Sequence, residues 1–145
     1  MKKLLLTFVA ATVAVAVQAA DANWLTSLPE AQAKAKASNK YVFLEFTGSD
    51  WCPPCKSLHK NVLDTTEFKE FAAKNYVLVE LDFPRQKAQS DELKKANRAL
   101  AEKYEIEGYP TVIVLDGSGK EVSRSVGYGG ADVSDYPAAL KTPSK

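Results

Sequence analysis

Trp51-Cys52-Pro53-Pro54-Cys55-Lys56 holds the only two cysteines of a 145-residue chain, and the fold is read outward from it. It follows Tyr41-Val42-Phe43-Leu44-Glu45-Phe46, a nearly unbroken apolar run of β formers, which predicts a strand buried on both faces. Thr47-Gly48-Ser49-Asp50 predicts the turn between the two. A helix that starts at Cys52 and runs towards Asn61 brings the two sulfurs together in its first turn.

Upstream, Ser27 and Glu30 match a capping box, Pro29 suits a first helical turn, and the alanine-rich stretch 31–37 favours helix until Asn39-Lys40 breaks it. Downstream, residues 66–74 read as a helix and 76–82 as a second buried strand. Residues 83–97 are polar and charged and read as a solvated loop and helix face, with helix continuing over 96–104. Gly108-Tyr109-Pro110 signals a turn. Residues 111–115 and 121–126 read as strands joined by the hairpin turn Asp116-Gly117-Ser118-Gly119. A short last helix is expected over 132–141. Strands alternating with helices predict an α/β fold, a central mixed sheet flanked by helices on both faces.

Lys2 and Lys3, the apolar stretch 4–17 and the small residues near position 19 have the layout of a secretory signal peptide over 1–20, which leaves 21–145 as a single domain. That reading places the mature chain in the periplasm or outside the cell. The formal net charge is +1; without Lys2 and Lys3, 17 basic residues face 18 acidic ones, a net charge of −1. Such a balance gives no electrostatic case for a nucleic-acid partner. Outside the cytoplasm disulfides persist, yet one closely spaced pair closes too small a loop to staple a fold.

The pair suits redox exchange better than structure. A thiolate is the nucleophile in thiol–disulfide exchange, and Cys52 stands where a helix N-cap belongs, where free N–H groups and the helix dipole favour negative charge. Pro53 holds Cys52 in extended backbone and fills the first helical position, where a missing N–H costs little. Cys52 is therefore expected to be exposed and to attack, and Cys55, one turn inward, to resolve. With no N–H on Pro53 or Pro54, fewer donors reach the Cys52 sulfur, which points to a more reducing pair. Glu45 interrupts an apolar strand that ends beside the cysteines; a buried carboxyl there is expected to have a raised pKa and to take the Cys55 proton. His59 reads as a partly packed helix histidine and Asp50 as a turn residue. Two cysteines and one histidine fall short of the four ligands of a zinc site, so no metal is expected.

With Trp51-Cys52-Pro53-Pro54-Cys55-Lys56 followed by Gly108-Tyr109-Pro110-Thr111 ahead of a strand, the chain resembles the thioredoxin superfamily. Residues 46–52 and 62–68 are most similar to exported thioredoxin-like proteins and to the C-terminal periplasmic domain of the transmembrane disulfide reductase DsbD. The resemblance implies a thioredoxin fold with Pro110 in the cis form, facing the cysteines. By the same resemblance Tyr109 and Pro110 hold a substrate backbone, Trp51 shields the active-site sulfur, and Glu45 aligns with the buried acid of thioredoxins. The chain departs from the pattern in having proline after the first cysteine, one extra residue between the acid and Trp51, a bulky Tyr109 and an enlarged 83–97 connection.

The expected function is an exported thiol–disulfide oxidoreductase that reduces protein disulfides. Its catalytic residues are Cys52, Cys55 and Glu45, and its substrate-binding residues Trp51, Tyr109 and Pro110. Its partners are protein thiols and disulfides and a membrane electron donor, and no cofactor is needed because the electrons reside on sulfur. The rivals are a disulfide oxidase or isomerase, a copper metallochaperone, and a module that holds unfolded clients without turnover. Two prolines between the cysteines weigh against the first. A metallochaperone would want a distant histidine near the sulfurs, whereas His59 lies on the cysteine helix itself.

Overall fold

The computed structural model describes residues 23–130. The signal-peptide stretch and the helix expected over 132–141 lie outside them.

Ser27 caps α1 (Leu28–Ser38), its side chain accepting from the Glu30 N–H, and Asn39 ends the helix in a left-handed conformation. Strand β1 (Tyr41–Thr47) follows, then α2 (Pro53–Leu58), which passes into a single wide π turn (His59–Leu63). The sequence predicted unbroken helix to about Asn61. Instead the Asp64 N–H reaches back five residues to the His59 carbonyl at 2.9 Å. Thr65 caps α3 (Thr66–Asn75), which runs directly into β2 (Tyr76–Asp82). After a connection comes α4 (Asp91–Lys103), then β3 (Thr111–Leu115) and β4 (Glu121–Val126).

The sheet order is β2-β1-β3-β4, with β1 and β2 parallel and the other two pairings antiparallel. The mixed sheet predicted from alternation is thus present, with β1 at its centre. Side chains alternate across it. Phe43, Leu78, Val112 and Val114 pack with Leu58, Val62, Leu63 and Phe68 on the face of the cysteine helix. Val42, Leu44, Phe46, Val79, Ile113 and Leu115 pack with Leu28, Ala31, Ala35 and Tyr104 on the other. Phe43 anchors the first layer through Phe68 and Tyr76, ring centroids 5.4 and 5.5 Å away.

This alternation fixes where the acid goes. Glu45 lies two residues beyond Phe43 and so shares its face, under the cysteine helix. Its register partner across the parallel pairing is Glu80.

The outer edge of β2 is covered in part by Leu25, whose N–H and carbonyl bond to Leu78 and Glu80 at 2.9 Å each. In the hairpin, Gly119 adopts φ +86, which a β-carbon would strain. The 83–97 stretch is largely solvent-exposed, as read, with one buried exception. Helix begins within it, at Asp91 behind the N-cap Ser90, and Asn97 is buried with its Nδ2 donating to the Asp82 carbonyl at 2.9 Å. Among the described residues no helix is long and apolar enough to cross a membrane.

Candidate functional site

Cys52 is the N-cap of α2, with φ −91 and ψ 107, and Pro53 and Pro54 open the helix. Its sulfur is bonded to that of Cys55, with Cα atoms 5.3 Å apart. The Cys55 N–H, the first one free after the two prolines, donates to Cys52 Sγ at 3.3 Å. Cys55 has no exposed surface, as an inward position requires. Cys52 differs from expectation: only 3% of it is exposed. In this oxidised form its sulfur is turned in towards Cys55.

Below the helix the site has an ionic floor. The His59 Nε2–H donates to the Glu45 carboxylate, 3.0 Å from each oxygen, and Nδ1 lies 3.7 Å from Asp64 Oδ1. Burial opposes charge on the imidazole, but the Glu45 hydrogen bond and the negative charges of Glu45, Asp64 and Glu80 outweigh it. The His59 pKa is raised to about 9, so the ring is an imidazolium at neutral pH. Glu80 is pushed up by burial and by the charges of Glu45 and Asp82, against the pull of His59 and Lys87.

Glu45 is fully buried, as expected. Its carboxylate lies against the His59 ring, 3.0 Å from Nε2 at each oxygen. His59 in turn is more than a packed helix residue. It begins the π turn, and its ring lies 6.0 Å from that of Trp24.

Glu45, His59 and Glu80 bring potential ligand atoms within 4.8 Å of one another. The imidazole centred on the Glu45 carboxylate makes an ion pair there, and the adjoining hollow is lined by both signs of charge, Lys56, Lys60 and Lys87 with Asp64 and Glu80, beside Cys55 and His59.

Beside the cysteines stands an aromatic wall. Trp51 meets Tyr109 edge to face at 5.8 Å, and Tyr109 meets Phe83 at 5.2 Å. The Tyr109–Pro110 bond is cis, as the resemblance implied. The Trp51 indole N–H donates to the Phe83 carbonyl at 2.8 Å, and its ring lies so close to Gly48 that a β-carbon there would meet it at 2.5 Å. Gly48 is thus a packing requirement of Trp51.

A family model described as a thioredoxin-like domain matches residues 28–138. The chain belongs to the thioredoxin-like family. Among its relatives, the disulfide bond reductase DsbH of Chlamydia pneumoniae is 37% identical over 128 residues, covering 86% of this thioredoxin-like chain and 76% of that protein. A solved structure of a DsbH oxidoreductase superposes with a TM-score of 0.77 at 31% identity, covering 93% of this chain and 95% of that one. The thiol:disulfide interchange protein DsbD of Actinobacillus pleuropneumoniae is 36% identical over 100 residues, which is 68% of this chain but only 16% of that longer protein.

The structure brings Cys52 and Cys55 together, sets Glu45 under their helix, and joins Trp51 to Tyr109. Sequence reasoning passed over Glu80 and underweighted His59. The available signal was a second acid, Glu80, in a second buried strand, five residues after Asn75 as Glu45 is five after Lys40.

Proposed function

We propose that this thioredoxin-like oxidoreductase is an exported reductase of protein disulfides. The observation that carries the reading is the Cys52–Cys55 disulfide at the head of α2, with the Glu45–His59 pair under the same helix. In the reduced protein the Cys52 thiolate attacks one sulfur of a client disulfide. A mixed disulfide forms, and the displaced client thiolate takes a proton. Cys55, having given its proton to Glu45, attacks Cys52 and expels the second client sulfur as a thiolate, which takes that proton from Glu45. Two electrons and two protons have then moved to the client, and the enzyme is left with its own disulfide.

Trp51 shields the sulfurs, while Tyr109 and Pro110 hold the client backbone beside them. No further cofactor enters this cycle. A dithiol donor must return the two electrons, and a membrane-embedded electron carrier fits an exported enzyme. Support for export comes from the basic and apolar start of the chain and from Dsb-type relatives.

The test is the reduction potential of the pair, read from tryptophan emission in glutathione or dithiothreitol buffers. A value near about −270 mV agrees with a reductase. A value near about −120 mV would reassign the protein to disulfide introduction. Replacing Cys55 by Ser should trap client proteins on Cys52 as mixed disulfides that dithiothreitol releases; a protein that only holds clients would trap none.

A further inference from the structure

The connection between β2 and α4 had no evident purpose in the sequence. In the structure it is a strap bolted to the cysteine loop. The Asp50 carboxylate accepts the backbone N–H groups of Arg85, Gln86 and Lys87, at 3.0 Å for Arg85 and at 2.7 and 2.9 Å for the other two. Three successive N–H groups converging on one anion form a nest. The bond from the Arg85 N–H, then those from Gln86 and Lys87 and the Lys87 charge, hold the Asp50 pKa down to about 2 against some desolvation. Ser49 is tied to Asp82 through its N–H at 2.9 Å and its hydroxyl at 2.6 Å. The Phe83 N–H bonds to the Thr47 carbonyl, and the Phe83 carbonyl takes the Trp51 indole.

This wiring sorts the charges. The acids Asp50 and Asp82 spend their carboxylates inside the clasp. The cations stay outside it. Arg85 lies over Trp51, its guanidinium carbon 3.8 Å from the ring centroid, and its guanidinium N–H groups have no hydrogen-bond partner among the described residues. Lys56 Nζ and Lys87 Nζ rest on neutral oxygens, the Asp50 carbonyl and the Ser49 hydroxyl, each at 2.9 Å. Arg85, Lys56 and Lys87 are all exposed. Trp51 adjoins Cys52 in the chain and Lys56 adjoins Cys55, so the cations sit on and against the residues that flank the cysteine pair.

We propose that the 83–89 strap is a specificity element: with Trp51 and Lys56 it presents Arg85 and Lys87 to an extended client segment that carries acidic residues beside its disulfide. This deepens the reductase reading and rests on it. Arg85 supplies a flat donor face suited to a carboxylate, and Lys87 and Lys56 supply point charges that draw an acidic segment to the site before exchange. Clients with basic residues flanking the disulfide are repelled by the same three groups.

The test uses the full-length mature protein, reduced, and two peptide disulfides that differ only in having Asp or Lys on both sides of the cysteine. Each second-order rate is divided by the same enzyme's rate with hydroxyethyl disulfide, an uncharged reference. The wild-type ratio should favour the Asp peptide at least about tenfold at low ionic strength and collapse in concentrated salt. Arg85→Glu should erase or invert the preference, and Lys87→Glu, at a second exposed position, should weaken it. Equal rates with both peptides, or a preference that survives both substitutions, would overturn the specificity role while leaving the reductase reading intact. No reaction with hydroxyethyl disulfide would instead remove the exchange reading, and this proposal with it.

Discussion

Glu45 has no contact with solvent, and a carboxylate in that position is tolerable only beside a partner. His59 is that partner. Removing it as His59→Ala leaves a buried charge unanswered and should cost about 3–5 kcal/mol of unfolding free energy at pH 6, measured in urea. A loss below about 1 kcal/mol would mean the pair contributes little. The pH dependence has a definite sign. The folded pKa of about 9 exceeds the free value of 6.5, so the native state holds this proton more tightly than the unfolded chain does. The stabilisation is complete below about pH 6.5 and is lost as pH rises through about 9. Wild-type stability should fall by about 1–3 kcal/mol across that window, and His59→Gln should flatten the slope. Gly48→Ala drives a β-carbon into the Trp51 ring and should cost about 1–3 kcal/mol, with a shift in tryptophan emission.

At the scale of elements, α2 offers its first free N–H only at Cys55, because Pro53 and Pro54 have none. Pro53→Gly restores a donor beside Cys52 and should lower the Cys52 pKa in the reduced protein, read by the pH dependence of thiol alkylation. An unchanged or higher pKa would show that the prolines do not set the thiolate's stability. The strands were legible because β1, β2 and β3 are apolar runs and β4 follows a Gly-rich hairpin turn. The cap of α1 was legible because Ser27 and Glu30 act locally. The π turn was not, since one extra residue in a helical turn leaves no mark in the side-chain pattern. Nor was the start of α4 clear: four of the five residues from Asp91 to Lys95 are charged, and the most buried position of its inner face, among Leu93, Asn97, Leu100 and Ala101, is the polar Asn97. The cysteine pair, Glu45 and Tyr109-Pro110 could be picked from sequence. The clasp could not, because Asp50 meets residues 35 to 37 positions away through their backbone, which carries no residue-type signal.

For the whole molecule, the clasp makes the cysteine loop and the strap one body. Asp50→Ala removes all three strap anchors on that carboxylate at once and should open residues 83–89 to trypsin after Arg85 and Lys87, seen as early fragments by mass spectrometry. Wild-type protein should resist cleavage there, and equal cleavage of both would mean that Asp50 does not hold the strap. The two tryptophans also have different neighbours. Trp24 faces the imidazolium of His59 at 6.0 Å, while Trp51 stands beside the disulfide under Arg85. An imidazolium is an electron acceptor that dims a neighbouring indole, and a disulfide does the same to the indole beside it. The protein therefore carries two optical reporters on separate channels. In a Trp51→Phe variant the remaining emission would follow the proton on His59, brightening as pH passes about 9. In a Trp24→Phe variant it would follow the electrons on sulfur, so that proton and electron movements could be timed against each other in one stopped-flow trace.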